Sequence, residues 1–125
     1  MGSKLVRSLL LGILASAPLT PRALAAGDAT QGKTLFQQRC AMCHARSGTA
    51  GGIGPNLSGV YGRRSAATAF SYSPAMQRAD LVWDAPTLSA YLAAPGKKVP
   101  GARMTASVPN ASDRDDIIAF LKAAN

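Results

Sequence analysis

An all-α domain with long connecting loops is the fold class this sequence predicts, and three observations lead there. Apolar residues recur at helical spacing in several stretches that follow a side chain suited to capping a helix. No segment alternates apolar and polar residues over a length that reads as a strand. The connections are rich in Gly, Pro, Ser and Asn, with 12 glycines and 8 prolines in 125 residues.

The chain opens with a segment that reads as a cleavable secretory signal over residues 1–25. Lys4 and Arg7 give a positive start, and Leu9 to Ala17 is an apolar run far too short to span a bilayer. Pro18 and Pro21 interrupt any helix, and Ala23-Leu24-Ala25 supplies a small-x-small cleavage pattern, with cleavage expected after Ala25 or Ala26. What remains, 26–125, is one small domain without internal repeats, expected in the bacterial periplasm and not inserted in a membrane once the signal is gone. Losing Lys4, Arg7 and Arg22 leaves 11 basic against 6 acidic residues. The basic residues are dispersed and no nucleic-acid motif accompanies them, so nucleic acid is excluded as a partner and an acidic protein surface is favoured.

In the mature chain, Asp28-Ala29-Thr30-Gln31 has the form of a capping box, with Asp28 as N-cap and Gln31 reaching back. The helix that follows is expected to run to about Arg39 and carries Gly32, Leu35 and Phe36. A glycine inside a helix costs about 1 kcal/mol relative to alanine, so Gly32 implies close approach by another helix. Residues 45–62 read as loop. Ser73-Pro74 pairs an N-cap with proline at the first helical position and starts a short helix to about Arg78. Asp84 caps the next, whose Leu88, Tyr91 and Leu92 stripe ends before Pro95. Residues 97–103 read as a polar Pro/Gly loop. A last helix starts near Ser112, with Asp113, Asp115 and Asp116 at its positive end and Ile117, Phe120 and Leu121 as its buried stripe.

Chemistry concentrates in Cys40-Ala41-Met42-Cys43-His44, which holds both cysteines and the only histidine. Residues at i, i+3 and i+4 share a helical face, so two thiols can bond the vinyl groups of one haem while the imidazole reaches its iron. This is the C-x-x-C-H signature of c-type haem attachment. A structural zinc site wants four Cys/His ligands and falls one short here. A disulfide across two residues leaves His44 without a purpose. A redox dithiol is the main competitor, although the βαβ context such motifs occupy is not visible. A domain this small is short of core, and a buried haem would supply some.

A histidine-ligated haem iron has a sixth position, and no second histidine exists to fill it. Met1 leaves with the signal, Met42 is confined beside the cysteines, and Met76 reads as core. Met104 follows the polar loop, where a core methionine is not expected, so it is the sixth-ligand candidate beside His44.

Taken together, these residues resemble the class I cytochromes c of mitochondrial and α-proteobacterial type, from Gly27 to about Ala124. The matching pieces are Gly32 and Phe36, Cys40-x-x-Cys43-His44, Gly54-Pro55-Asn56-Leu57, Gly62-Arg63, Phe70-Ser71-Tyr72, Trp83 and Tyr91-Leu92. Pro100-Gly101-Ala102-Arg103-Met104 and the helix Asp113 to Leu121 complete the series. The resemblance implies the small cytochrome c fold, four to five helices around one covalently attached haem c. By the same resemblance His44 and Met104 are the axial iron ligands, and the Pro55 carbonyl holds the ring of His44. Arg63, Tyr72 and Trp83 match positions that satisfy a buried propionate, and Tyr91 matches a residue near the methionine sulfur. Gly32, Phe36, Ile117 and Phe120 would form the crossing of the terminal helices.

Three positions depart from the family: Ala102 where threonine is frequent, Met76 where asparagine is, and Gly96 in place of a lysine near the haem edge. Lys33, Arg39, Lys97, Lys98 and Arg103 remain for a partial cationic ring.

The function the resemblance implies is single-electron transfer by a soluble monomer without catalytic residues. Its partners would be redox proteins with acidic docking faces: a quinol-oxidising cytochrome complex, a terminal oxidase or a periplasmic dehydrogenase. The competing readings are a dedicated haem subunit of one dehydrogenase and a peroxidase or gas-binding protein with an open sixth position.

Overall fold

The structure is a computed structural model and describes residues 27–46 and 52–123. The expected signal segment and its cleavage site lie outside the described residues. Five helices follow one another: α1 (Ala29–Arg39), α2 (Pro74–Arg78), α3 (Ala85–Ala93), α4 (Pro95–Lys98) and α5 (Ala111–Ala123). Among the described residues there is no strand, only an isolated antiparallel bridge between Arg64 and Val82.

The caps explain the helix starts. The Asp28 carboxylate accepts from the backbone N–H of Thr30 at 2.8 Å and of Gln31 at 3.1 Å. The expected return bond from Gln31 is replaced, because the Asp28 N–H donates 2.7 Å to Asp116 Oδ1 of α5. That long-range bond serves the same orphan donor and fastens the first helix to the last. Ser73 Oγ accepts from Met76 N, and Asp84 Oδ1 accepts from Thr87 N. The last helix starts a residue earlier than Ser112, with Asn110 Oδ1 accepting from Asp113 N at 3.0 Å. One helix was not expected: Pro95-Gly96-Lys97-Lys98 forms the single turn α4. Pro95 seeds it at the first helical position, where a missing N–H does no harm.

Helix α5 is the hub, packing on α1 and α3, while α4 packs on α3. Gly32 is buried where α1 crosses α5, and a Cβ there would lie 1.9 Å from the Asp116 carbonyl oxygen. Only glycine lets the two backbones approach so closely. One turn on, Phe36 and Phe120 rings meet at 5.4 Å and 57°. Phe120 is half-buried, and Ile118 joins Ile117 and Leu121 as the buried face of α5.

The segment 99–110 crosses the molecule without regular structure. Val108 N donates to Leu92 O at 2.7 Å, and the Arg114 guanidinium donates to the carbonyls of Val108 and Pro109 and to Ser89 Oγ. Arg103 donates 2.7 Å to Ser71 O. Met104 is thus presented from a strap fixed on both sides.

A haem-binding cavity

A cavity of about 340 Å³ opens between α1, the 53–73 loops, α3 and the strap. Its wall holds Cys40, Cys43, His44, Pro55, Arg63, Tyr72, Trp83, Tyr91 and Met104, every residue singled out from the sequence for this site. The remainder is mostly apolar, with Phe36, Leu57, Val60, Leu88, Leu92 and Ile117 among it.

The attachment segment leaves α1 as a further turn. Cys43 N and His44 N both donate to Cys40 O, at 3.0 and 2.9 Å, which keeps the two thiols and the imidazole on the same side. The two cysteines form no disulfide with each other. Burial pushes the Cys40 thiol above its ordinary value, Arg39 pulls it partly back, and Cys43 adds to the rise. An attacking thiol in a redox dithiol needs a stabilised thiolate, and burial works against one at Cys40.

His44 Nδ1 donates 2.8 Å to the Pro55 carbonyl. Since a carbonyl only accepts, the proton sits on Nδ1 and Nε2 keeps the lone pair a metal needs. Gly54 closes this arrangement, because a Cβ there would lie 2.3 Å from Cε1 and 2.7 Å from Nδ1 of the ring. Its N–H donates 2.8 Å to Cys43 O, which clips the loop back onto the attachment turn. The sequence showed Gly54 only as part of a matching string; nothing in its spacing revealed that it fits against an imidazole.

On the other walls, Trp83 and Tyr91 are buried with ring centroids 5.1 Å apart. The Tyr72 hydroxyl is hydrogen-bonded to Thr68 Oγ1. Arg63 Nη1 and Nη2 donate to the carbonyls of Ser58 and Asn56, holding that loop and leaving other N–H groups for the cavity. Met76 is buried and faces the cavity, whereas Met104 is half-buried in the strap. Of the five cations expected to form a ring, Arg39 and Arg103 reach the cavity wall. Lys33, Lys97 and Lys98 are exposed away from it, and Lys98 borders a separate groove with Arg78. Arg39 lies 3.6 Å from Asp113, which offsets part of its charge. Two large apolar side chains are exposed beside the cysteines, Met42 at 86% and Ile53 at 81%.

Two thiols, an imidazole with a fixed tautomer, a thioether and an apolar wall form the donor set that a covalently held haem requires, so the residues present fit that group. The comparisons with known proteins agree. The family model described as Cytochrome c matches residues 29–125. Cytochrome c2 of Rhodoblastus acidophilus is 44% identical over 99 residues, covering 77% of this chain and 92% of the relative. Cytochrome c of Theileria parva is 41% identical over 101 residues, covering 79% and 88%. Among solved structures, cytochrome cH from Methylobacterium extorquens superposes with a TM-score of 0.72 at 37% identity, covering 78% of this chain and 99% of that one. The chain belongs to the cytochrome c family. It carries one covalently attached haem c, and its class of activity is electron transfer rather than enzymatic catalysis.

Proposed function

We propose that this chain is a soluble, monomeric periplasmic carrier that takes and gives single electrons, with His44 and Met104 as the axial iron ligands. The observation that carries the reading is the single cavity wall shared by both thiols, the Pro55-held imidazole and the Met104 strap. When bound, the haem supplies one-electron exchange between ferrous and ferric iron. The chain's own residues do the rest. Cys40 and Cys43 tether, and His44 donates through Nε2 with its ring fixed by Pro55 and Gly54. Met104 offers a thioether, a ligand that favours the reduced state. Tyr91, Trp83 and the apolar wall exclude water, which limits reorganisation when the charge changes. Arg63 and Tyr72 are assigned to the haem propionates, where donors offset the burial of a carboxylate. His44 is the only histidine in the chain, so none is left for general acid–base work.

Export is supported by the signal-like residues 1–25, and no helix among the described residues is long and apolar enough to cross a membrane. Arg39 and Arg103 at the cavity suit redox partners with acidic docking faces, and the exposed Met42 and Ile53 give such a contact an apolar centre.

The deciding experiment is the visible spectrum and midpoint potential of the oxidised holoprotein and its Met104→Ala variant. The variant is expected to lose the weak long-wavelength band of iron–methionine ligation and to have a lower potential. An unchanged band in Met104→Ala would move the ligand role to Met76, and a five-coordinate high-spin wild type would favour the peroxidase reading.

A further inference from the structure

Arg114 stands in the first turns of α5, near the helix end whose exposed N–H groups favour negative charge. Asp113 obeys that rule and Arg114 breaks it, so a cation here needs another reason. The guanidinium folds back over the helix start. Its Nη1 donates to the carbonyls of Val108 at 2.9 Å and Pro109 at 2.7 Å, and its Nε donates 3.1 Å to Ser89 Oγ on α3. One half-buried side chain therefore joins α5, α3 and the far end of the strap. A guanidinium suits the task, because its N–H groups are fixed in direction and its charge strengthens each bond.

Around Met104 the strap is sparsely held. Upstream, Arg103 donates 2.7 Å to Ser71 O. Downstream, Val108 is buried and its N–H is bound to Leu92 O. Between them Met104, Thr105, Ala106 and Ser107 make no hydrogen bond to any other described residue. A run of four residues spans at most about 14 Å, so the place where its ends are fixed decides where the thioether can sit. Ser89 lies on the helix that carries the cavity residues Leu88, Tyr91 and Leu92, so its bond from Arg114 sets the strap's end relative to the wall itself.

We propose that Arg114 is a positioning residue for the axial thioether: by tying the 108–109 end of the strap to α3 and α5, it holds Met104 at the sixth position and keeps competing ligands out. The inference rests on the reading of Met104 as axial ligand. A competing ligand binds only those molecules in which the thioether has left, so its apparent affinity reports that fraction. Loss of the bonds from Arg114 enlarges the fraction without touching the cavity wall.

The test is titration of the ferric holoprotein with imidazole, followed by the visible spectrum, for wild type, Arg114→Met, Arg114→Lys and Ser89→Ala, with urea unfolding of each. Arg114→Met should raise the apparent imidazole affinity by about tenfold, since two hydrogen bonds to the strap are lost. Arg114→Lys keeps the charge but not the fork, and should recover only part of the difference. Ser89→Ala leaves the bonds to the carbonyls but frees the guanidinium from α3, and should raise the affinity by about two- to threefold.

Wild-type imidazole affinity in a folded Arg114→Met overturns the proposal, even with a lower urea midpoint, because the residue would then serve stability alone. If Arg114→Met does not fold, Ser89→Ala decides, and wild-type affinity there overturns the proposal. A wild type that lacks the iron–methionine band refutes the Met104 reading and this inference with it. A wild type that has the band, beside an Arg114→Met with unchanged affinity, refutes this inference alone.

Discussion

Tyr91 walls the haem cavity, packs 5.1 Å from Trp83 and keeps its phenol out of water. Burial raises its pKa, since the phenolate is the form that loses hydration. The unfolded chain would release this proton near pH 10, whereas the folded chain holds it to higher pH. Stability from this residue is therefore complete below about pH 10 and is lost as pH rises toward the folded value, by about 1.4 kcal/mol per pH unit between the two. Tyr91→Phe should flatten the alkaline limb of a stability-against-pH curve measured by urea unfolding and change little at neutral pH. An alkaline limb as steep in Tyr91→Phe as in wild type would assign it to another group. At this scale Cys40, Cys43 and His44 were legible because their spacing is itself the chemistry. Gly54 and Arg114 were not, because what defines them is a neighbour far along the chain or across the fold: the imidazole of His44 for one, the Ser89 hydroxyl for the other.

Helices α1, α2 and α3 were readable from the sequence because their starts are local events. Asp28, Ser73 and Asp84 each accept a backbone N–H within three residues. Helix α4 was not readable, because a Pro-Gly-Lys-Lys turn has a loop's composition and is helical only as a cap on the end of α3. The failed return bond of Gln31 has a similar origin, as a carboxylate from α5 occupies its place. The α1–α5 crossing was anticipated from one glycine, and that glycine gives the test at this scale. Gly32→Ala gains about 1 kcal/mol of helix propensity. Its Cβ, however, would sit 1.9 Å from a backbone carbonyl that cannot move without its helix. A net loss of about 1–3 kcal/mol is expected from overpacking, read as a lower urea midpoint. Wild-type or greater stability would mean that the helices separate at little cost.

Across the whole molecule, the core is built around the cavity rather than beside it. Trp83, Tyr91, Leu92 and Ile117 belong at once to the core and to the cavity wall. Losing the haem would leave about 340 Å³ to be closed or tolerated. At about 24 cal/mol per Å³ this comes to about 8 kcal/mol, comparable with the entire stability of a small domain. A Cys40→Ala/Cys43→Ala double variant made without haem should lack the near-ultraviolet circular dichroism of a fixed Trp83 and unfold without cooperativity. A sharp unfolding transition in that apoprotein would show that the helices alone suffice. The all-α class and four of the five helices were legible in the sequence, as were nine residues that line the cavity; the strap's anchorage through Arg114 and Arg103 was not, because both bond to backbone carbonyls that carry no residue signature.

The contact between α1 and α5 has one more consequence, in time. Among the helices α1 packs only on α5, and those two lie at opposite ends of the domain. On the proposed export route, a polypeptide that crosses the membrane N-terminus first delivers Cys40, Cys43 and His44 before the residues that bury Phe36. The thiols stay accessible to whatever attaches the haem until translocation is nearly complete, and order of arrival protects the step that the finished fold would obstruct.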